Sequence, residues 1–179
     1  YRPIRVACLL KHHGQLGPAE IAPKRDWTYR HVAWLAAQHG IDLQLPAAHP
    51  FNPIGLLRLA WACARQGAPN RYAVEAIFHH VWHGGQAADD AARLAALTTT
   101  LAPVQDPASD AVKQALRTAT DQALTAGVFG VPSFVVDGRV FWGLDALPLL
   151  RAHLAGGADG AALDAAWSAP DGVAVGVRR

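Results

Sequence analysis

Cysteine is scarce in this chain. Its 179 residues include two, Cys8 and Cys63, far apart and with no partner at C-x-x-C spacing. Nor does the opening Tyr-Arg-Pro-Ile-Arg-Val contain the long apolar segment of a secretory signal. A disulfide between the two stays open on sequence grounds, but two unpaired buried thiols are the expected state, each read as a small core hydrophobe rather than a nucleophile. A thiol-redox function therefore has no thiols to run on within the chain. Charge is scarce as well: charged residues make up 17%, and Lys+Arg 16 against Asp+Glu 14 leaves a net charge of +2. No dense Lys/Arg stripe is present, which excludes a nucleic-acid binder that works by neutralising phosphates. Long apolar runs are missing too. Pro, His or Arg breaks each one before membrane-spanning length, so no transmembrane helix and no membrane partner are expected. What is plentiful is apolar side chain, 51% of residues, which rules out disorder and supplies the core of one domain, or of one domain with an insertion. The expectation is a cytoplasmic globular protein.

Along the chain, Ile4 to Leu10 is a mostly apolar run of strand length, followed by a polar loop from Lys11 through Gly14 and Pro18 to Pro23. The chain opens without Met, directly at this strand-like run, so a further segment before Tyr1 is expected. Lys24 to His39 has helical spacing, with Tyr29, Val32, Ala33 and Ala36 on one face and Gly40 as the stop. Ile41 to Pro53 carries Pro46, Pro50 and Pro53 and reads as an extended loop. Helices are predicted over Pro53 to Arg65, Asn70 to His83 with Asn70 as N-cap, and Ala88 to Leu101. Asp106-Pro107 looks like an N-cap and first-turn proline opening a long helix to about Ala126. Two β-rich runs joined by Asp137-Gly138 are a strong hairpin signal. A last helix follows over Ala146 to Leu154, and the Ala/Asp/Gly-rich tail beyond Gly156-Gly157 reads as a loose extension. The order strand, helical block, long helix, hairpin, helix predicts an α/β fold: a small mixed sheet with a helical insertion.

Two places carry candidate chemistry. Val131-Pro132 heads a strand, although proline cannot donate to a ladder. A cis bond there would turn the Val131 N–H and C=O outward, free to pair with an extended peptide-like ligand; a trans proline that merely opens the strand is the plainer alternative. Trp142-Gly143-Leu144-Asp145 lies at a strand-to-helix junction, where free backbone N–H groups make an anion site and Asp145 can hold an ammonium. The plainer alternative is Asp145 as a helix cap. Together the two places offer a strand-like edge, a carboxylate-binding helix start and an acidic group, and glutathione, γ-Glu-Cys-Gly, matches that set. His79 and His83 stand at i, i+4, but with no Glu after His79 and no third ligand no metal site is assigned. His12 and His13 read as solvated loop histidines that are also in place to bind a ligand or move a proton, and Trp82 reads as core.

The segment Gly127-Val-Phe-Gly-Val-Pro-Ser-Phe-Val-Val-Asp-Gly-Arg-Val-Phe-Trp-Gly-Leu-Asp145 resembles the C-terminal signature of the 2-hydroxychromene-2-carboxylate isomerases. These are grouped with the kappa-class glutathione transferases and the DsbA-type oxidoreductases in a thioredoxin-fold set with a helical insertion. Leu10 to Pro18, Lys24-Arg25 and Pro46-Ala-Ala-His-Pro-Phe-Asn-Pro53 are similar to the isomerases' front loop and Pro-rich segment, so the resemblance covers about residues 1 to 155. It implies a discontinuous thioredoxin-like domain over 1–19 and 104–156, a helical insertion over 20–103 and a flexible extension over 157–179. It also implies that the family's first strand and helix, with the Ser that activates the glutathione thiol, lie before Tyr1. No catalytic residue is named within the chain, and Ser133 is not a substitute.

Carried over by position, Val131 and Pro132 would pair with the glutathione backbone, and Trp142, Gly143, Leu144 and Asp145 would hold its γ-glutamyl end. Lys11, Gly14, Glu20, Lys24 and Asn52 would form the facing wall for a small aromatic keto acid. Lys24 suits its carboxylate and Asn52 its oxygens; the plainer reading of Lys24 and Arg25 is a solvated helix start, although basic residues suit that end of a helix poorly. The implied activity is a glutathione-dependent isomerisation in the breakdown of bicyclic aromatics, by thiolate addition to the ring-opened enone, bond rotation and thiolate expulsion. The rivals are a transferase or thiol oxidoreductase on the same scaffold and, in another class, a non-catalytic glutathione- or peptide-binding protein. A homodimer is left open.

Overall fold

The computed structural model describes residues 1–168. Contacts divide the chain into two compact units, one over residues 1–129 and one from Gly130 onward. The first unit corrects the sequence reading at its start: the run expected as a strand is helical, α1 over Val6–His12. Alternation would have buried Val6, Cys8 and Leu10 together, whereas the structure fully buries Leu9 and leaves Val6 exposed. Ala7, Leu9, Leu10 and Lys11 are all good helix formers, and seven residues are too few for periodicity to separate helix from strand. Upstream, Arg5 N–H donates to the Thr120 hydroxyl at 3.2 Å and the Trp61 indole donates to the Pro3 carbonyl at 3.0 Å, fastening the entry to the unit's core. Cys8 is therefore helical and half-buried rather than a buried strand residue; it and Cys63 are both free thiols.

A 3₁₀ turn over Pro18–Glu20 leads into α2, Ala22–Gln38, which starts two residues before the expected Lys24 and is followed by His39 as C-cap and by Gly40 at φ 64°, the expected stop. Of the four residues expected on its inner face, Ala36 is buried and Tyr29 half-buried, while Val32 and Ala33 are exposed. The proline-bearing stretch is extended, and Gln44 and Ala47 N–H groups donate to the Trp82 and Gln86 carbonyls at 2.9 and 3.3 Å, laying it beside the segment that ends the fourth helix. Four helices follow: α3 Ile54–Ala62, α4 Arg71–Trp82, α5 Ala91–Leu101 and α6 Asp110–Thr125. Asn70 caps α4 as expected, accepting from Ala73 N–H at 2.9 Å. The cap of α6 is Ser109, not Asp106. Asp106 accepts from Ala108 N–H at 2.8 Å in the preceding turn, and the helix starts three residues later than Asp106-Pro107 suggested.

The core is built on α3. Leu56 meets Val81 and Ala88; Leu59 and Cys63 meet Ala73; Trp61 and Ala62 meet Val112, Leu116 and Ala119 of α6. Burying a Leu or Val side chain contributes about 1.5–3 kcal/mol. At Gly55, where α3 meets α5, a Cβ would stand 2.7 Å from a Leu94 methyl, so any larger residue would have to displace that side chain.

The second unit holds the predicted hairpin. Strands β1, Ser133–Val136, and β2, Arg139–Trp142, pair antiparallel with Ser133 opposite Trp142. Asp137 and Gly138 both take positive φ, 50° and 75°, as a type I′ turn requires. Helix α7, Leu147–Ala155, packs Leu150 on Phe141. Beyond it the first part of the expected loose extension is a helix, α8 over Gly157–Ser168. Its Ala-rich composition favours helix, Leu163 is buried against Phe141 and Leu150, and Arg139 pairs with Asp164 at 2.5 Å. The tail from 169 to 179 lies outside the described residues. Among the described residues this hairpin is the only sheet, and no helix is long and apolar enough to cross a membrane.

Candidate functional site

The second unit brings Val131, Pro132, Trp142, Gly143, Leu144 and Asp145 together at one end of the hairpin. The Val131–Pro132 bond is cis, as expected. Val131 is 48% exposed, and neither its N–H nor its C=O makes a hydrogen bond among the described residues. The Pro132 carbonyl accepts from Gly143 N–H at 2.9 Å, carrying the ladder one step past the last paired residues. Ser133 donates its hydroxyl to the Gly130 carbonyl at 2.8 Å and is thereby taken up locally.

Two glycines shape this end. The Trp142 indole lies over Gly130, where a Cβ would stand 2.5 Å from Nε1. Gly143 has φ +93°, and its missing Cβ leaves the space taken by the Asp145 carboxylate. Asp145 is not a helix cap: α7 begins after Ala146 with no side chain accepting from its first turn. The carboxylate is exposed and makes no hydrogen bond among the described residues. The backbone N–H groups of Leu144, Asp145 and Ala146 likewise have no acceptor there. Chemically, successive free N–H groups at a helix start favour a carboxylate, and a free carboxylate beside them favours an ammonium. An α-amino acid carries both, and the free Val131 edge suits the peptide that continues from it.

The first unit places the expected substrate wall less evenly. Lys11 is exposed in the last turn of α1, and Gly14 takes φ +62° in the turn that closes that helix, so both belong to a helix end rather than to a loop after a strand. Glu20 Oε1 accepts from Gly17 N–H at 2.6 Å and closes the 3₁₀ turn. Lys24 is exposed in the first turn of α2, with no ion pair among the described residues. Asn52 Oδ1 accepts from Ile54 N–H at 3.1 Å, which starts α3 and leaves the exposed amide NH₂ to donate elsewhere. Among the described residues no hydrogen bond or ion pair joins Lys11, Glu20, Lys24 and Asn52 to one another.

What does tie the Lys24 helix to the Asn52 loop is a pair that sequence reasoning missed. The Tyr29 hydroxyl lies 2.8 Å from His49 Nδ1 and 3.3 Å from the His49 carbonyl oxygen. Phe51 and Trp82 place their rings 5.8 and 5.6 Å from the imidazole, and this burial pushes the His49 pKa below the ordinary histidine value. Trp82, expected in the core, is half-buried and divided between Leu56 and Val81 on one side and His49 on the other. Arg58 was missed as well: its Nε is buried with no hydrogen-bond partner among the described residues. His79 and His83 stack at 4.4 Å, with Asp42 3.6 Å from His83. No cluster of three or more candidate metal ligands occurs among the described residues.

This geometry has known relatives. A 2-hydroxychromene-2-carboxylate isomerase of Sphingobium xenophagum is 28% identical over 165 residues, 86% of this chain and 81% of that one. A solved 2-hydroxychromene-2-carboxylate isomerase superposes with a TM-score of 0.75 at 22% identity, over 94% of this chain and 84% of the other, a likeness of fold. Residues 1–155 match the DSBA-like thioredoxin domain. The match spans most of the chain, and the chain belongs to the DSBA-like thioredoxin family.

Proposed function

We propose that the protein is a glutathione-dependent isomerase that acts on 2-hydroxychromene-2-carboxylate or a close relative, an aromatic keto acid in hemiketal form, in the breakdown of bicyclic aromatics. The substrate class is supported by the isomerase from Sphingobium xenophagum, to which most of the chain is similar. The thiol is supported by one observation above the rest: three unengaged backbone N–H groups, a free Asp145 carboxylate and a free Val131 peptide edge share one end of the hairpin. That donor set fits glutathione residue by residue. The N–H groups of Leu144 to Ala146 would take its γ-glutamyl carboxylate, Asp145 its ammonium and Val131 its peptide backbone, with Trp142 alongside.

When bound, glutathione supplies a thiolate whose reversible addition frees rotation about a double bond. The chain's own residues bind and orient. Lys24 would hold the substrate carboxylate as a point charge, and the Asn52 amide would donate to an oxygen that gains charge as the ring opens. The thiol-activating group is not assigned to any residue here. Ultraviolet absorbance of full-length protein with 2-hydroxychromene-2-carboxylate tests the reading: conversion to the hydroxybenzylidene pyruvate rotated about its double bond is expected only when glutathione is added. Glutathione binding without turnover would point instead to a transferase or a binding protein.

A further inference from the structure

His49 lies in the Pro46–Pro53 segment, where the sequence gives it no role of its own, yet its ring is held by side chains from three places in the first unit. Tyr29 from α2 meets it on one edge, Phe51 from its own loop and Trp82 from α4 stand around it, and the residue keeps an exposed surface. Tyr29 Oη lies 2.8 Å from His49 Nδ1 and 3.3 Å from the His49 carbonyl oxygen, and no group among the described residues engages Nε2. In the tautomer with its proton on Nδ1, the ring donates to the Tyr29 oxygen, the Tyr29 hydroxyl donates to the carbonyl, and Nε2 is an unprotonated acceptor.

We propose that His49 Nε2 is the proton acceptor and donor for opening of the hemiketal ring, with Tyr29 as its positioning residue. The assignment rests on the function proposed above and adds to it the group that moves the proton. Nε2 takes the proton from the hydroxyl on the hemiketal carbon, and the O–H electron pair becomes the ketone C=O. The ring C–O bond breaks, its electron pair stays on the phenoxide, and that oxygen receives the proton back from Nε2. No electrons are gained or lost and the imidazole ends neutral. Asn52, three residues on, and Lys24, about one and a half turns before Tyr29 on α2, flank the pair in sequence. Partial burial of the ring disfavours its charged form and lowers its pKa from the ordinary histidine value.

The test uses full-length protein with glutathione and 2-hydroxychromene-2-carboxylate, comparing wild type, His49→Gln, His49→Ala and Tyr29→Phe across pH. General acid–base catalysis by one positioned side chain is worth about 10²–10⁴ in rate. His49→Gln should therefore lose about that factor in kcat with glutathione affinity unchanged, and should lose the acid limb of the pH profile, which in wild type falls below the ordinary histidine pKa. Free imidazole should restore part of the rate to His49→Ala. Tyr29→Phe should lower kcat more than it raises KM and shift the acid limb. An active wild type whose His49→Gln variant keeps its rate and acid limb would overturn this assignment alone, as would loss without rescue by imidazole. A wild type with no turnover would overturn the proposed function and this assignment with it.

Discussion

At the scale of single residues, the site turns on what small changes leave unfilled. Asp145 is exposed and unpaired beside three free N–H groups, so its carboxylate is available to an ammonium rather than committed to the fold. Replacing it with Ala should weaken glutathione binding about ten- to a hundredfold by calorimetry, the range of a charged hydrogen bond, with the melting temperature unchanged. An unchanged Kd would remove Asp145 from the site. Gly130→Ala forces a Cβ against the Trp142 indole. It should turn that side chain away, altering tryptophan fluorescence and lowering glutathione affinity together. The two thiols should also differ. Burial raises the Cys63 pKa, outweighing the nearby Arg65 charge, so its thiolate is rarer than an ordinary thiol's at any pH below that value. Alkylation at pH 8 should label half-buried Cys8 first, and mass spectrometry of the labelled peptides would check the order. Legibility at this scale followed sequence distance. Asp145, Trp142 and Gly143 lie in one junction and could be read as a group. His49 could not, because its partners Tyr29 and Trp82 are twenty and thirty-three positions away.

At the scale of elements, turn chemistry was the reliable guide. Asp137-Gly138 specified the hairpin because few dipeptides accept positive φ twice, and Asn70 specified α4 because its side chain satisfies a backbone donor of the first turn. Where two candidate caps stand close the letters mislead: Asp106 accepts from Ala108 N–H in the preceding turn, and Ser109 accepts from Val112 N–H and starts α6. Ser109→Ala should accordingly cost about 1 kcal/mol and Asp106→Ala less, measured by urea unfolding. Equal losses would return the helix start to Asp106. The run at α1 reads as a strand because a short apolar segment fits either period, and the contacts that hold its entry, Arg5 to Thr120 and Pro3 to Trp61, lie far along the chain. Helix α8 escaped because burial of Leu163 depends on Phe141 and Leu150, which no local pattern announces.

At the scale of the whole molecule, family membership rests on a match over residues 1–155, while the residues given roles in the proposed function occur in each of the two units. The second carries the features that suit glutathione, and the first carries Lys24, Asn52 and the Tyr29–His49 pair. That division predicts separable defects. Lys24→Ala or Asn52→Ala should lower turnover about 10²–10³-fold, the usual effect of removing one oriented donor, while leaving calorimetric glutathione affinity as in wild type. A matching loss of glutathione affinity would show that these residues do not act on the substrate alone. The most direct measurement is the initial rate at which full-length protein converts 2-hydroxychromene-2-carboxylate to the hydroxybenzylidene pyruvate rotated about its double bond, as glutathione is raised from zero. A rate that starts at the uncatalysed background and saturates with glutathione is the predicted result; a rate independent of the thiol, or none at saturating thiol, would contradict the account.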